Sequence, residues 1–273
     1  MAFRPCLSFP IVVHSDKIHH PLISKKTMKI NQKNILEIAA VIVFFSVFAL
    51  VLSKPIIDPD VFWHIKTGEW IWQNNSLPAQ DPFRFTTGNP QETVRAEIIL
   101  KQYWAGQLVL YFVYQLGGFH GIIALRYILY LGIGLILYMW MGKPGLNRIG
   151  RLVFLLPVFY FSIRWLGDRP NNMSFLFAVL VVYLLEHLKN RSKSLNGLNG
   201  LICLLLPLVM LLWANTHGGF ILGVAIIGIY IFSHILAVIY RKIKHKRHDA
   251  SDLHLLGVYL ISVLVSLINP NAF

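Results

Sequence analysis

The chain has 273 residues, of which 56% are hydrophobic and only 14% are charged, and its mean hydropathy is +0.59. A soluble domain of this length carries more charge on its surface, so the composition excludes that class and indicates a multi-pass membrane protein. The formal charge of +13 lies in the breaks between apolar runs. There it indicates membrane topology, and we expect no nucleic-acid partner.

The first 34 residues are polar and basic, and four lysines precede the first apolar run, at positions 25, 26, 29 and 33. We predict that residues 1–34 form a basic cytoplasmic tail and that residues 35–273 form the membrane domain. Met28 is an alternative start to Met1, because little before it has the pattern of a structural element. Cys6 and Cys203 are the two cysteines, which excludes a disulfide framework.

The first apolar run, residues 35–53, has the length of one membrane span, and a long polar segment follows it. Residues 54–97 hold six of the twelve acidic residues of the chain. Lysines before the span and acidic residues after it predict a cytoplasmic N-terminus and an outer loop. We therefore predict an integral membrane protein with membrane lipids around the helices.

Whether residues 103–117 cross the membrane decides the rest of the topology. If they cross, the later basic breaks fall on the outer side, against the positive-inside rule. We therefore predict that residues 103–117 and 61–72 are two interfacial helices within an outer loop, residues 54–120. The tryptophans and tyrosines in these two stretches are typical of a membrane interface.

Further apolar runs predict six more spans, at residues 121–141, 152–166, 173–188, 198–213, 219–240 and 253–268. The predicted fold is thus an all-α polytopic membrane helix bundle of about seven spans. In this topology the polar breaks at residues 167–171, 215–219 and 269–271 emerge on the same outer face as Asp58 and Asp60. Polar residues far apart in the sequence are therefore expected to meet there.

Asp58 and Asp60 follow the first span directly, with Pro59 between them. In an extended segment the two carboxylates point to opposite sides, so one could bind a divalent cation such as Mg²⁺ or Mn²⁺. The other could act as a general base toward an acceptor hydroxyl. The alternative is a solvated turn, or a cap for a helix that begins near Val61.

Three further residues are candidate substrate-binding groups. His64 joins the same site if Asp60 begins a helix; alternatively it is a packing residue. Arg169 could bind a phosphate in bidentate fashion, unless Asp168 pairs with it locally. His217, before two glycines, either approaches a ligand or lies in a simple hairpin turn.

The order and spacing of several short motifs resemble those of bacterial relatives of the GT-C glycosyltransferases, from residue 35 to the last residue. The motifs are Asp58-Pro59-Asp60-Val61-Phe62-Trp63-His64-Ile65, Asp81-Pro82-Phe83, Glu97, Arg169-Pro170, Trp213-Ala214-Asn215-Thr216-His217-Gly218-Gly219-Phe220 and Asn269-Pro270. In that superfamily, enzymes transfer a sugar from a polyprenyl-phosphate donor at the outer face of the membrane. The resemblance implies that an acidic residue after the first span, here Asp58 or Asp60, is the catalytic or metal-binding carboxylate.

The resemblance further implies inverting transfer, with the departing lipid phosphate neutralised by a divalent cation or by Arg169 and His217. GT-C enzymes usually have more spans, whereas this chain ends just after one. We therefore expect a longer protein, of which this is the N-terminal part, as an alternative to a self-contained enzyme.

Two other functions are compatible with the sequence. One is a transporter or flippase for a lipid-linked or anionic solute, which requires ionisable groups in the middle of the membrane. The other is a non-catalytic membrane subunit in which the aspartates only cap a helix. The polar residues cluster at one face and the predicted spans read as nearly all apolar, so the transferase is the preferred hypothesis.

Overall fold

The computed structural model describes residues 32–83, 97–142, 145–164, 167–191, 198–244 and 250–271. Almost all of the predicted basic tail, and residues 84–96 of the predicted outer loop, lie outside these ranges. Within the described ranges all regular secondary structure is helical, which confirms the predicted all-α class.

The longer helices of the described part follow one another in chain order. They are α1 (Gln32–Leu52), α2 (Asp60–Asn74), α3 (Trp104–Trp140), α4 (Arg148–Arg164), α5 (Asn171–Arg191), α6 (Leu198–Thr216), α7 (Phe220–Ile243) and α8 (Ala250–Val265). Residues 97–102 form a short helical stretch before α3. Over its described residues, each apolar run that the sequence predicts as a span lies largely within one of these helices.

Four of these helices, α1, α3, α5 and α7, are long and apolar enough to cross a membrane. Shorter apolar stretches lie in α6 and α8, at Gly200–Thr216 and Leu253–Val265. A helix bonds its own backbone donors and acceptors internally, which hydrocarbon requires of any spanning segment. The chain is therefore compatible with an integral membrane protein.

A break divides α3 into two helical halves. At 37 residues and about 1.5 Å per residue, a straight helix would be about 55 Å long, well above the roughly 30 Å of a hydrocarbon core. The backbone leaves helical geometry at Gly117 and Gly118, and Gly118 has φ 56° and ψ −143°, a conformation that glycine adopts without a Cβ clash. The break falls between the predicted interfacial helix, residues 103–117, and the predicted span, residues 121–141.

Helix α2 packs along the first half of α3. Its apolar side chains Val61, Ile65 and Ile71 are buried on one face. Gly68 lies on that face, and a Cβ there would lie only 2.2 Å from the carbonyl oxygen of Gln107. Because a side chain at position 68 would not fit, the glycine allows the backbones of α2 and α3 to pack in direct contact here.

Three apolar clusters hold the bundle together. The first joins α1, α3 and α4, and in it the rings of Phe48 and Phe159 stack with centroids 3.6 Å apart. The second joins α2, α3 and α5. The third joins α5, α6, α7 and α8 around Trp213, which is fully buried. Helix α5 belongs to two clusters, so it links the two halves of the bundle.

A buried ion pair connects three parts of the chain at one end of the bundle. Arg126 of α3 donates from Nε to Asp168 Oδ1 at 2.8 Å and from Nη2 to Asp168 Oδ2 at 2.5 Å. Its Nη1 donates to the carbonyl oxygens of Leu52 and Lys54, at 2.9 and 2.6 Å. Both charged side chains are almost fully buried. One guanidinium therefore fixes the end of α1 and the loop before α5.

We predict that Arg126→Met lowers the free energy of unfolding by about 3–5 kcal/mol, because it leaves the Asp168 carboxylate buried without its cation. Chemical unfolding in mixed detergent micelles measures the change. Arg148→Met is the matched control: Arg148 pairs with Glu37 at 3.1 Å but is 39% exposed, so we expect a loss of about 0–1 kcal/mol. Equal losses in the two variants would contradict the assignment.

Candidate functional site

Four polar breaks of the chain converge at the end of the bundle where the Arg126 pair lies. The Gln102 side-chain amide donates to Ala214 O at 2.5 Å, and Asn215 donates to Ile268 O at 2.7 Å. Asn271 donates to Gln102 Oε1 at 3.0 Å. The polar segments that lie together at this end are those after α1, before α5, between α6 and α7, and after α8, as the sequence predicts.

Arg169 contacts both aspartates that follow α1. It donates from Nε to Asp58 Oδ2 at 2.5 Å and from Nη2 to Asp58 Oδ1 at 2.8 Å. Its Nη1 lies 2.6 Å from Asp60 Oδ2. The expectation that the two carboxylates point to opposite sides is therefore wrong, because one planar guanidinium bridges both. The alternative of a local pair between Asp168 and Arg169 is also wrong, because Asp168 pairs with Arg126.

The two aspartates differ in exposure and in bonding. The Asp58 side chain is 9% exposed, and its Oδ1 also accepts the Asp60 backbone N–H at 3.1 Å. Burial alone would raise the pKa of Asp58, but the hydrogen bonds from Arg169 and the Asp60 N–H hold this pKa below its usual range. Asp60 begins α2 and its side chain is 50% exposed. Asp58 is thus fixed in position, and Asp60 is accessible to a ligand.

His64 is buried on the face of α2 that contacts α3. Its Nδ1 lies 3.5 Å from Gln107 Nε2, and the Tyr103 ring is edge-on at 5.6 Å between centroids. Burial, with the nearby charge of Arg169, lowers the pKa of His64 to about 3. The imidazole is therefore uncharged at neutral pH and contributes no positive charge to the site.

His217 is oriented by a chain of hydrogen bonds. Trp213 Nε1 donates to Ser174 Oγ at 2.8 Å, and Ser174 Oγ lies 2.8 Å from His217 Nδ1. The Gly219 backbone N–H also donates to Nδ1, at 2.9 Å. Because Nδ1 accepts, the neutral ring carries its proton on Nε2. Burial lowers the pKa of His217 to about 4, so this neutral form is present at neutral pH.

These groups surround a cavity of about 230 Å³. It is smaller than the roughly 300–1,000 Å³ of pockets for drug-sized molecules, so it suits a single sugar ring or a phosphate group. Its lining consists of acidic, basic, imidazole and aromatic groups: Asp60, Trp63, His64, Ile99, Tyr103, Arg169, Pro170, Asn171 and His217. Four of the five predicted site residues line it, and Asp58 lies behind Arg169.

Asn171 adds a polar atom that the sequence does not reveal. Its Oδ1 is buried, and no residue in the described ranges donates a hydrogen bond to it. Asn171 lines the cavity at the start of α5. A buried acceptor without a partner is costly, so a ligand hydroxyl is a suitable donor for it.

Asp58 and Asp60 are the residues predicted to bind a divalent cation. Oxygen ligands suit Mg²⁺ or Mn²⁺, but both oxygens of Asp58 and one of Asp60 already contact Arg169. No group of three or more His, Cys, Asp or Glu residues within the described ranges could hold a metal ion. In this arrangement the positive charge near the carboxylates comes from Arg169.

Sequence reasoning missed several residues of this end of the molecule. Arg126 was overlooked, although a charge inside an apolar run is itself a signal of function or of a buried pair. The expectation of nearly all-apolar spans is wrong at this position. Asn171 lies in the predicted polar break 167–171 but is not among the predicted site residues, and Ser174 lies within a predicted span. Their roles depend on a cavity or on a partner about 40 residues away.

Comparison with known proteins adds no relative. No protein-family model matches the chain, and no curated protein and no solved structure does either. The site is therefore interpreted from its own geometry.

We predict that stability falls as pH decreases from about 6.5 towards 4. An unfolded histidine binds its proton near pH 6.5, whereas His217 binds it near 4, so in this window the unfolded chain holds more protons. This contribution to stability is complete above pH 6.5, and at pH 4.5 the loss from His217 is on the order of 2 kcal/mol; His64, whose pKa is about 3, adds a loss of similar size in the same window. Thermal unfolding in detergent at several pH values measures it.

The slope of that pH dependence identifies the residue. Between pH 7 and 4.5, the unfolding temperature of the His217→Gln variant should fall less steeply than that of the wild-type chain. His120→Gln, which changes an exposed histidine, should keep the wild-type slope. Identical slopes for wild type and His217→Gln would exclude His217 as the source.

Proposed function

We propose that the protein is a membrane glycosyltransferase of the GT-C type, which transfers a sugar from a polyprenyl-phosphate donor to an acceptor at the membrane surface. The observation that carries the proposal is the cavity itself. It combines an accessible carboxylate, an arginine and a histidine with a fixed Nε2–H, at one end of a bundle of apolar helices.

In this proposal Asp60 is the general base. It lines the cavity and is half exposed, whereas both oxygens of Asp58 accept hydrogen bonds from Arg169. Asp60 removes the proton of the acceptor hydroxyl, while the acceptor oxygen forms a bond to the anomeric carbon. The bond from that carbon to the phosphate oxygen breaks, and its electron pair leaves with the lipid phosphate. Asp58 positions Arg169.

Arg169 and His217 are suited to bind the departing phosphate. The guanidinium is 43% exposed and carries a permanent positive charge, so it can exchange one carboxylate for a phosphate oxygen. The Nε2–H of His217 is a neutral donor whose direction is set by Ser174 and Gly219. His64 and Asn171 are then the groups that contact the sugar hydroxyls.

Apolar side chains around the site are suited to the lipid part of such a donor. Ile57, next to Asp58, is 84% exposed, and Phe62 on α2 is 52% exposed. Leu116, just before the break in α3, is 88% exposed. These side chains would contact hydrocarbon if α2 and the first half of α3 lie in the membrane interface, as the proposal requires.

The proposed topology has about seven spans in a bacterial cytoplasmic membrane, with the N-terminus in the cytoplasm and the cavity on the outer side. The charge distribution supports this orientation, because Lys189, Arg241, Lys242 and Lys244 lie at the ends of α5 and α7 that are opposite the cavity. A requirement for Mg²⁺ or Mn²⁺ stays a prediction, and no step of the mechanism is assigned to the ion.

We predict that Asp60→Asn reduces sugar transfer by about 10²–10⁴, since it removes the general base. The measurement is transfer from radiolabelled mannosyl, arabinosyl and glucosyl polyprenyl phosphates in membranes containing the full protein, with and without a chelator. Glu69→Gln is the control, because Glu69 also lies on α2 but forms an exposed pair with Lys66 at 2.6 Å. Its activity should equal that of the wild type.

Other outcomes would point to the other functions. Unchanged transfer in both Asp58→Asn and Asp60→Asn would contradict the mechanism. Movement of the lipid-linked sugar across vesicle membranes without a transfer product would indicate a flippase. Absence of both activities in the wild-type chain, with every donor sugar, would favour a non-catalytic subunit.

A further inference from the structure

A second cavity, of about 290 Å³, lies between α5, α7 and α8. Its residues lie in the last turns of α5 and around the middle of α7 and α8, so Glu186 and Lys189 are at the end of α5 opposite the candidate site. Glu186, Lys189, Tyr230, His234 and Tyr259 are among the residues that line it. None of them takes part in the proposed transfer reaction.

The cavity contains a carboxylate beside aromatic rings. Tyr230 donates its hydroxyl to Glu186 Oε1 at 2.5 Å. The Tyr230 and Tyr259 rings meet edge to face with centroids 6.4 Å apart, and His234 is 6.5 Å from Tyr259. Glu186 lies within the candidate membrane span Asn171–Lys189, where a carboxylate is costly and by default indicates a functional site.

A lysine lies at the edge of the same cavity. Lys189 Nζ is 3.8 Å from Glu186 Oε1, and the lysine side chain is 60% exposed. An exposed pair at this distance contributes little, so a ligand can replace it. The cavity therefore offers a negative group with aromatic walls inside and a positive group at its edge.

This arrangement complements a zwitterion with a primary ammonium and a phosphate. The carboxylate accepts charge-assisted hydrogen bonds from the ammonium, and the tyrosine rings attract the cation. The lysine contacts the phosphate. Exposed apolar side chains extend from the cavity along α7 and α8: Ile229 is 66% exposed, Leu236 50% and Leu253 77%. These surfaces are suited to acyl chains.

We propose that the cavity at Glu186 binds the headgroup of a phospholipid with a primary ammonium, the chemistry of a phosphoethanolamine group. Glu186 and the two tyrosines bind the ammonium, and Lys189 binds the phosphate. The site holds a lipid at the end of the helices opposite the candidate site, and it is independent of whether that site transfers sugar.

Native mass spectrometry of the full chain in detergent tests the proposal, with phosphatidylethanolamine, phosphatidylglycerol and phosphatidylcholine of identical acyl chains. We expect phosphatidylethanolamine to be retained about tenfold more than either other lipid, since among the three headgroups only its ammonium donates charge-assisted hydrogen bonds to a carboxylate. Equal retention of the three lipids would overturn the proposal. If soluble phosphoethanolamine displaces the bound phosphatidylethanolamine, the headgroup alone is sufficient for binding. If it does not, the acyl chains are needed as well. Both results are consistent with a site for the lipid headgroup.

Variants test the assigned residues. Glu186→Gln keeps the size of the side chain but removes its charge, and should abolish the tenfold preference. Lys189→Ala should reduce retention of all three lipids and keep the preference. Glu37→Gln is the matched control, because Glu37 also lies near this end of the bundle but pairs with Arg148 outside the cavity.

A filled cavity gives a test that keeps the carboxylate. Ser233 lines the cavity, so Ser233→Leu should occupy its volume and also abolish the preference. This variant replaces Glu186→Gln in the test if the latter shows no cooperative thermal transition. A preference retained in Ser233→Leu, or in a folded Glu186→Gln, would refute the site.

Discussion

The structure depends on the ion pair between Arg126 and Asp168, because it joins three separate segments in the interior of the bundle. Arg126 uses both edges of its guanidinium, one toward Asp168 and one toward the backbone carbonyls at the end of α1. A buried pair of this kind adds little stability relative to apolar residues, but removal of either partner is costly. Its effect is to fix where α1 ends and how the loop before α5 begins.

The candidate site follows from that fixed geometry. Asp168 and Arg169 are neighbours in the chain, yet their side chains serve different partners: Asp168 contacts Arg126 in the interior, and Arg169 contacts Asp58 and Asp60 at the cavity. With Asp168 held inside, the next side chain is directed toward the cavity. The buried pair thus positions the arginine that we propose to bind phosphate, although it does not itself line the cavity.

The charged side chains at the two ends of the bundle are paired in different ways. At the candidate site, one arginine bridges two carboxylates, and two histidines are kept neutral by burial, so a ligand finds both a base and a cation there. At the opposite end, Glu186 is bonded by a tyrosine and weakly paired with an exposed lysine. That end can accept a positively charged group, and the first end can accept an anionic one.

The sequence alone predicts the helices and the convergence of four polar breaks, including Asp58, Asp60 and Arg169. Both depend on local properties, since an apolar run of about 20 residues forms a helix in a membrane and consecutive spans alternate in direction. His217 was predicted for the same reason, as a polar residue at a span end. The charge distribution of the later loops predicts that residues 103–117 and 121–141 are two separate elements. The break in α3 at Gly117 and Gly118 lies between them.

Only the tertiary structure decides which charges pair. Asp58 and Arg169 are 111 residues apart, and Arg126 and Asp168 are 42 apart, so no local pattern distinguishes these pairs from the alternative pair of Asp168 with its neighbour. The tautomer of His217 likewise depends on Ser174 and Gly219, which meet only in the packed bundle. Hydropathy determines where a chain enters and leaves a membrane, whereas the direction of each polar side chain depends on the packing of helices that are distant in sequence.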